Sequence, residues 1–131
     1  MRHLLDSDWL IDALVGVPST IANIDELGRR LVGVSIVSHG ELLEGAYAHL
    51  DPASELVRYR VFLSRFPMLP LTGSIMERFG KLRYDLRRQG QLIPDLDLLI
   101  AATAIDHDLA LATRNLRHFV RVPDLEIVRL A

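Results

Sequence analysis

Short apolar runs alternate with longer amphipathic segments along the whole chain. His3-Leu4-Leu5 predicts a brief buried strand ending at Asp6, and Asp8 or Ser7 then caps a helix carrying Trp9, Leu10, Ile11 and Leu14. Ile21, Ile24, Leu27 and Leu31 recur at helical spacing, which predicts a helix from Pro18 to Arg30 stopped before Gly33. Val34 to Val37 predicts a second strand, and the Ser38/Glu41 spacing of a capping box opens a helix with Leu42, Leu43 and Ala46. Asp51-Pro52 starts the next helix, marked by Leu56, Val57, Val61 and Phe62 and finished before Pro67. Met68 to Leu71, interrupted by proline, predicts a weak edge strand.

The second half keeps the same rhythm. Ser74 and Glu77 repeat the capping-box spacing at the start of a helix running to about Gln89, with Ile75, Phe79, Leu82 and Leu86 inward. Its other face carries Arg78, Lys81, Arg83, Arg87 and Arg88, and Gly90 ends it. Asp95 to His107 predicts an alanine-rich helix, Leu109 to Ala112 a strand, Asn115 to Phe119 a helical turn, and Leu125 to Val128 a last strand. This alternation predicts an α/β fold with a central, mostly parallel sheet of about four to five strands and helices on both faces. In such sheets ligands sit beyond the carboxyl ends of the strands, which is where chemistry is expected.

Composition narrows the chemistry. A length of 131 residues fits one domain, expected to span 1–131. With no cysteine, thiolate nucleophiles and Cys-ligated zinc are excluded. The start of the chain lacks a secretory pattern, and the longest apolar run, Leu98 to Ile105, is far too short for a bilayer. A cytoplasmic protein without a membrane partner is expected. The net charge of −2 is unevenly spread: residues 1–50 hold seven acids against three arginines, 51–90 four acids against eight bases, and 91–131 six acids against four arginines. Arginine supplies fourteen of the fifteen basic residues, a bias that suits phosphate but also arises from a GC-rich genome.

Three acids fall where strand ends place ligands. Asp6 follows the first strand, Glu41 lies in the first turn of the helix after the second, and Asp97 lies near the start of the helix from Asp95. Each has an ordinary role open to it: solvating a strand end, completing a capping box, or complementing a helix dipole. Jointly they are harder to dismiss, because the flanking runs are core-grade and would hold the acids in one partly desolvated cleft. Unpaired carboxylates a few ångströms apart either hold protons or gather a cation. Hard oxygens of this kind suit Mg²⁺ or Mn²⁺, which bridge to phosphate and activate water.

These runs carry a resemblance. Leu4-Leu5-Asp6-Ser7-Asp8-Trp9-Leu10-Ile11 is similar to the opening of PIN-domain nucleases, and Val34 to Gly45, around Glu41, is similar to their second acidic motif. Ile93 to Ala104, around Asp97, resembles the third, and Leu111-Ala112-Thr113-Arg114-Asn115-Leu116-Arg117-His118-Phe119 resembles the fourth. Order, spacing and length resemble the VapC-type toxins of toxin–antitoxin pairs over nearly the whole chain. The resemblance implies a PIN-like fold and a Mg²⁺- or Mn²⁺-dependent endoribonuclease. It also implies a homodimer silenced by a VapB-like antitoxin. Asp6, Glu41, Asp97 and Asn115 would be its catalytic set, with Asp6 and Asp97 on the metal. Asn115 stands at or beside the place of a fourth acid in many relatives. Thr113 and Arg114 fit the family pattern, Arg114 near substrate phosphate. Asp8 and Asp95 are extra acids, and His118 shares the turn of Asn115.

Two rivals remain on the residues. Asp6-Ser7-Asp8 also resembles the Asp-x-Asp motif of haloacid-dehalogenase-type phosphatases, but Leu10 stands where that family expects threonine and Lys81 is the only lysine. The other rival is a PIN-like module that has lost catalysis and binds RNA or protein; Asn115 favours it, and the first three acids oppose it. The five histidines lack zinc spacing, and no glycine-rich phosphate loop or nucleophile elbow is present.

Overall fold

The computed structural model describes residues 1–129. Four parallel strands, β1 (His3–Leu5), β2 (Val32–Ser35), β3 (Met68–Leu69) and β4 (Ala110–Ala112), form one sheet in the order β3-β2-β1-β4. Seven helices connect and flank them: α1 (Ser7–Val15), α2 (Pro18–Leu27), α3 (Ile36–Ala46), α4 (Pro52–Leu63), α5 (Gly73–Arg88), α6 (Asp95–Asp106) and α7 (Leu116–Phe119). Among the described residues no helix is long and apolar enough to cross a membrane.

The strands are short and apolar because both faces of the sheet are covered. Alternation along β1 sends Leu5 into a core with Trp9, Leu10, Ile24, Leu42 and Leu63, from α1 to α4. Leu4 joins a second core with Leu86, Leu98, Ile100, Leu111 and Phe119, from α5 to α7. Gly33 pairs with Leu4 in the register between β1 and β2. A Cβ there would lie 2.7 Å from Met1 Sδ and 3.1 Å from Leu69 Cδ1, so glycine is what lets those side chains close over the strand. Ile100 is fully buried. Ile100→Ala is expected to cost about 2–5 kcal/mol, read as a lowered thermal midpoint with the circular dichroism of the folded state unchanged.

Several boundaries differ from those the sequence predicts, and hydrogen bonding explains each. The cap of α1 is Asp6, whose side chain accepts from Ser7 N, rather than Asp8 or Ser7. α2 stops at Leu27, where Gly28 at φ 91° takes its last carbonyls, so Leu31 is exposed rather than inward. β2 comprises residues 32–35, because the Ser35 side chain accepts from Val37 N and begins α3 there, leaving Ser38 inside the helix. Thr72 caps α5, accepting from Ile75 N, while Ser74 donates to Asp106 instead. On α4 the buried residues are Tyr59 and Leu63, and Val57 and Val61 face outward. The segment 125–128 contributes one bridge, Leu111 with Ile127, beside β4.

The chain moves from β1 to β2 to β3 in one direction and then returns to place β4 on the other side of β1. The carboxyl ends of β1 and β4 therefore form the switch point at which open α/β sheets bind ligands.

Candidate active site

Asp6 sits at that switch point, its backbone N–H donating to Ala112 O at 2.9 Å. Its side chain is 5% exposed and both carboxylate oxygens are engaged. Oδ1 accepts from Ser7 N at 2.8 Å, and Oδ2 accepts from Thr113 Oγ1 at 2.7 Å. Burial pushes the Asp6 carboxyl up to about 7, opposed by the Thr113 hydrogen bond and reinforced by the charges of Asp8 and Asp97. A carboxylate so placed lacks a counter-charge, which is the state a cation relieves.

Asp97, in the first turn of α6, accepts at Oδ2 from His118 Nδ1 at 2.7 Å and from Asn115 Nδ2 at 3.4 Å. Asn115 Nδ2 also lies 2.9 Å from the same ring nitrogen, so Asn115, His118 and Asp97 form one polar cluster. Glu41 joins from α3: its Oε1 lies 2.8 Å from Ser7 Oγ, which is 2.9 Å from Ser38 Oγ. The buried hydroxyls of Ser7 and Ser38 thus tie the helix after β2 to the end of β1. Neither serine stands out in the sequence, since a first-turn hydroxyl reads as a cap.

Thr113 is the hinge of the group. Its hydroxyl donates to Asp6, accepts from Asn115 N at 3.0 Å, and lies 3.5 Å from Asp8 Oδ2. Asp8 Oδ2 accepts from Arg114 N at 2.9 Å, so Asp8 borders the site through the loop after β4. Two expected residues turn elsewhere. Asp95 is drawn to Arg83 Nε at 2.8 Å on the outer face of α5. The Arg114 guanidinium meets Asp12 on α1, with Nη1 at 2.8 Å from Oδ2 and Nη2 at 3.3 Å from Oδ1.

Acids from the end of β1, from α3 and from α6 and an amide from the loop after β4 therefore converge on one end of the sheet. The PIN domain pattern matches residues 4–125. The chain belongs to the PIN-domain family. This PIN domain is similar to ribonuclease VapC19 of Mycobacterium tuberculosis, at 35% identity over 94% of this chain and 96% of that protein. It is 28% identical to the tRNA(fMet)-specific endonuclease VapC of Salmonella typhimurium, over 97% of this chain and 96% of that one. The crystal structure of DNA-bound VapBC from Salmonella typhimurium superposes with a TM-score of 0.90 at 28% identity, covering 98% of this chain and 97% of that one.

Among the described residues, no group of three or more His, Asp or Glu side chains stands arranged to hold a metal ion. The donors of this PIN domain still suit a hydrated divalent cation. Mg²⁺ keeps several waters and takes only one or two carboxylates from a protein, and the buried, uncompensated Asp6 would supply the driving charge.

Proposed function

We propose that this PIN domain is an endoribonuclease that hydrolyses RNA phosphodiester bonds with Mg²⁺ or Mn²⁺, as the toxin of a type II toxin–antitoxin pair, in one nuclease domain spanning residues 1–131. The observation that carries the chemistry is the buried Asp6 carboxylate, shifted to about 7 beside the charges of Asp8 and Asp97. Kinship with ribonucleases, rather than anything in the phosphodiester chemistry, selects RNA over DNA.

Asp6 and Asp97 would hold the ion, with Glu41 and Asn115 completing the catalytic set. When bound, a divalent cation polarises the scissile phosphate and lowers the pKa of attacking water. Ser7 donates to Glu41 and ties it to the end of β1, from where its carboxylate would take a proton from water through a hydrogen bond. Thr113 fixes the direction of Asp6 by donating to one oxygen and leaving the other on Ser7 N. Asn115 and His118 fix Asp97 in the same way.

The antitoxin reading rests on kinship with VapBC complexes and on a groove of about 350 Å³ between α1, α2 and α4. Leu14, Ile21 and Phe62 line it, with Arg29, Arg58 and Arg65 around them. An apolar antitoxin segment bearing acidic residues fits that combination. A homodimer is part of the same reading.

Purified protein incubated with total RNA is expected to produce discrete fragments with Mg²⁺ or Mn²⁺ and none with EDTA. Equal cleavage in EDTA would overturn the metal mechanism, and no cleavage with either ion would favour the binding-module reading that Asn115 keeps open.

A further inference from the structure

Asp8 and Asp12 lie one turn apart on α1 and so share a face. Both reach the loop after β4, and they hold different parts of one residue. Asp8 accepts from the Arg114 backbone at 2.9 Å, and Asp12 takes the Arg114 guanidinium in a two-pronged pair at 2.8 and 3.3 Å. Thr20 on α2 donates to Asp12 Oδ2 at 3.1 Å, so the acid end of the pair is itself held. Asp12 is largely shielded, with its side chain 14% exposed, whereas that of Arg114 is 62% exposed.

The loop gripped this way carries Thr113 and Asn115, which reach Asp6 and Asp97 respectively. Each link is a direct hydrogen bond: Asp12 to Arg114, the adjoining Thr113 to Asp6, and Asn115 to both Thr113 and Asp97. We propose that the Asp12–Arg114 pair is a clamp that sets the loop 113–115 on the two metal-binding carboxylates, making Asp12 and Arg114 positioning residues for cleavage. The proposal rests on the reading of Asp6 and Asp97 as the metal centre, and it departs from Arg114 as a direct contact to substrate phosphate. With its guanidinium open to solvent, the Arg114 end of the pair adds little to global stability. Misplacing the groups that orient metal ligands, by contrast, typically costs roughly 10- to 100-fold in metal affinity or activity.

The test compares wild type, Asp12→Ala, Arg114→Ala and the double variant by calorimetric titration with Mn²⁺, single-turnover cleavage of bulk RNA, and thermal melting. Each single variant is expected to bind Mn²⁺ about tenfold more weakly or worse and to cleave more slowly at saturating protein. The protein concentration for half-maximal rate should stay nearly unchanged in both, and the melting midpoint nearly unchanged in Arg114→Ala, whereas Asp12→Ala, which also leaves the buried Thr20 hydroxyl without its acceptor, should melt lower. The double variant should be no worse than either single one, because one clamp is lost in all three. Arg114→Lys, which keeps the charge but not the two-pronged contact, should fall between, and Asp12→Asn carries the test if Asp12→Ala does not fold. Losses that add in the double variant would overturn the clamp. So would an Arg114→Ala defect in half-maximal concentration alone while Asp12→Ala cleaves normally, since that is the behaviour of a phosphate contact. Mn²⁺ bound equally by all variants would overturn the clamp and leave the metal centre standing. A wild type that binds no Mn²⁺ would overturn the metal centre and the clamp with it.

Discussion

Asp97→Asn is expected to abolish metal-dependent RNA cleavage while leaving the fold intact. Asparagine has the same shape and can turn its oxygen toward His118 and Asn115, so the cluster keeps an acceptor where Asp97 now accepts from both. What disappears is a negative charge at the cation. A metal contributes several kcal/mol of charge stabilisation to the transition state, and losing its anchor converts to about 10³-fold or more in rate. The stability cost is the lost complement to the α6 dipole, about 0.3–1 kcal/mol, together with the weakening of the His118 hydrogen bond from a charged to a neutral acceptor. Cleavage rate and melting midpoint measured on one preparation separate the two effects. Retention of even a tenth of the wild-type rate would remove Asp97 from the metal centre.

Asp6→Asn should also silence cleavage, and it should make the metal-free protein more stable at neutral and higher pH. The folded Asp6 carboxyl titrates at about 7 against an ordinary value of 3.8. Between those values the folded chain keeps a proton that the unfolded chain has lost, so folding stability falls as pH rises from about 4 to about 7. Below that window the contribution vanishes, because both states are protonated. The full cost above it is about 4 kcal/mol. Asparagine is neutral throughout; it can accept from Ser7 N and donate to Thr113 Oγ1, which leaves the Thr113 proton free to turn toward Asp8. Denaturant midpoints from pH 4 to 8 should therefore decline for wild type in EDTA and stay flatter for Asp6→Asn. Asp106 works in the opposite direction, held low by Ser74 and Arg78, but its dependence lies below this window. A saturating divalent ion should remove the wild-type decline and do nothing for Asp6→Asn. Parallel curves for the two proteins without metal would show that Asp6 is not the strained group.

Much of the fold was readable because its signals are local. Apolar runs such as Leu4-Leu5 and Leu109 to Ala112 are short, β-compatible and bounded by polar residues. The acids at their ends follow from the geometry of parallel sheets. The boundaries depart from the expected ones where two residues compete for one local task. Ser35 and Ser38 can each cap the helix after β2. Ser35 takes the role, and Ser38 is freed to face Ser7 from inside the helix. The same competition put Thr72, not Ser74, at the start of α5. The site was half readable for a different reason. Asp6, Glu41 and Asp97 stand out singly, but the partners that orient them are far away in sequence. Thr113 is 107 residues from Asp6, and Arg114 is 102 residues from Asp12. No periodicity within a window reports such pairings, which is why Arg114 reads as a free phosphate ligand until its neighbour is seen.

The central position of β1 has a consequence for how the protein is made. β1 leaves the ribosome before the other three strands, yet one of its two sheet neighbours is β4, the last of them. A nascent chain that has delivered α1 to α4 holds Asp6 and Glu41 but has neither Asp97 nor the threonine that aims Asp6. Its first strand has an open edge where β4 belongs. On the proposed reading, a message translated only in part yields fragments with no cutting centre. The nuclease would come into being only once residues 110–115 have been made and close the sheet.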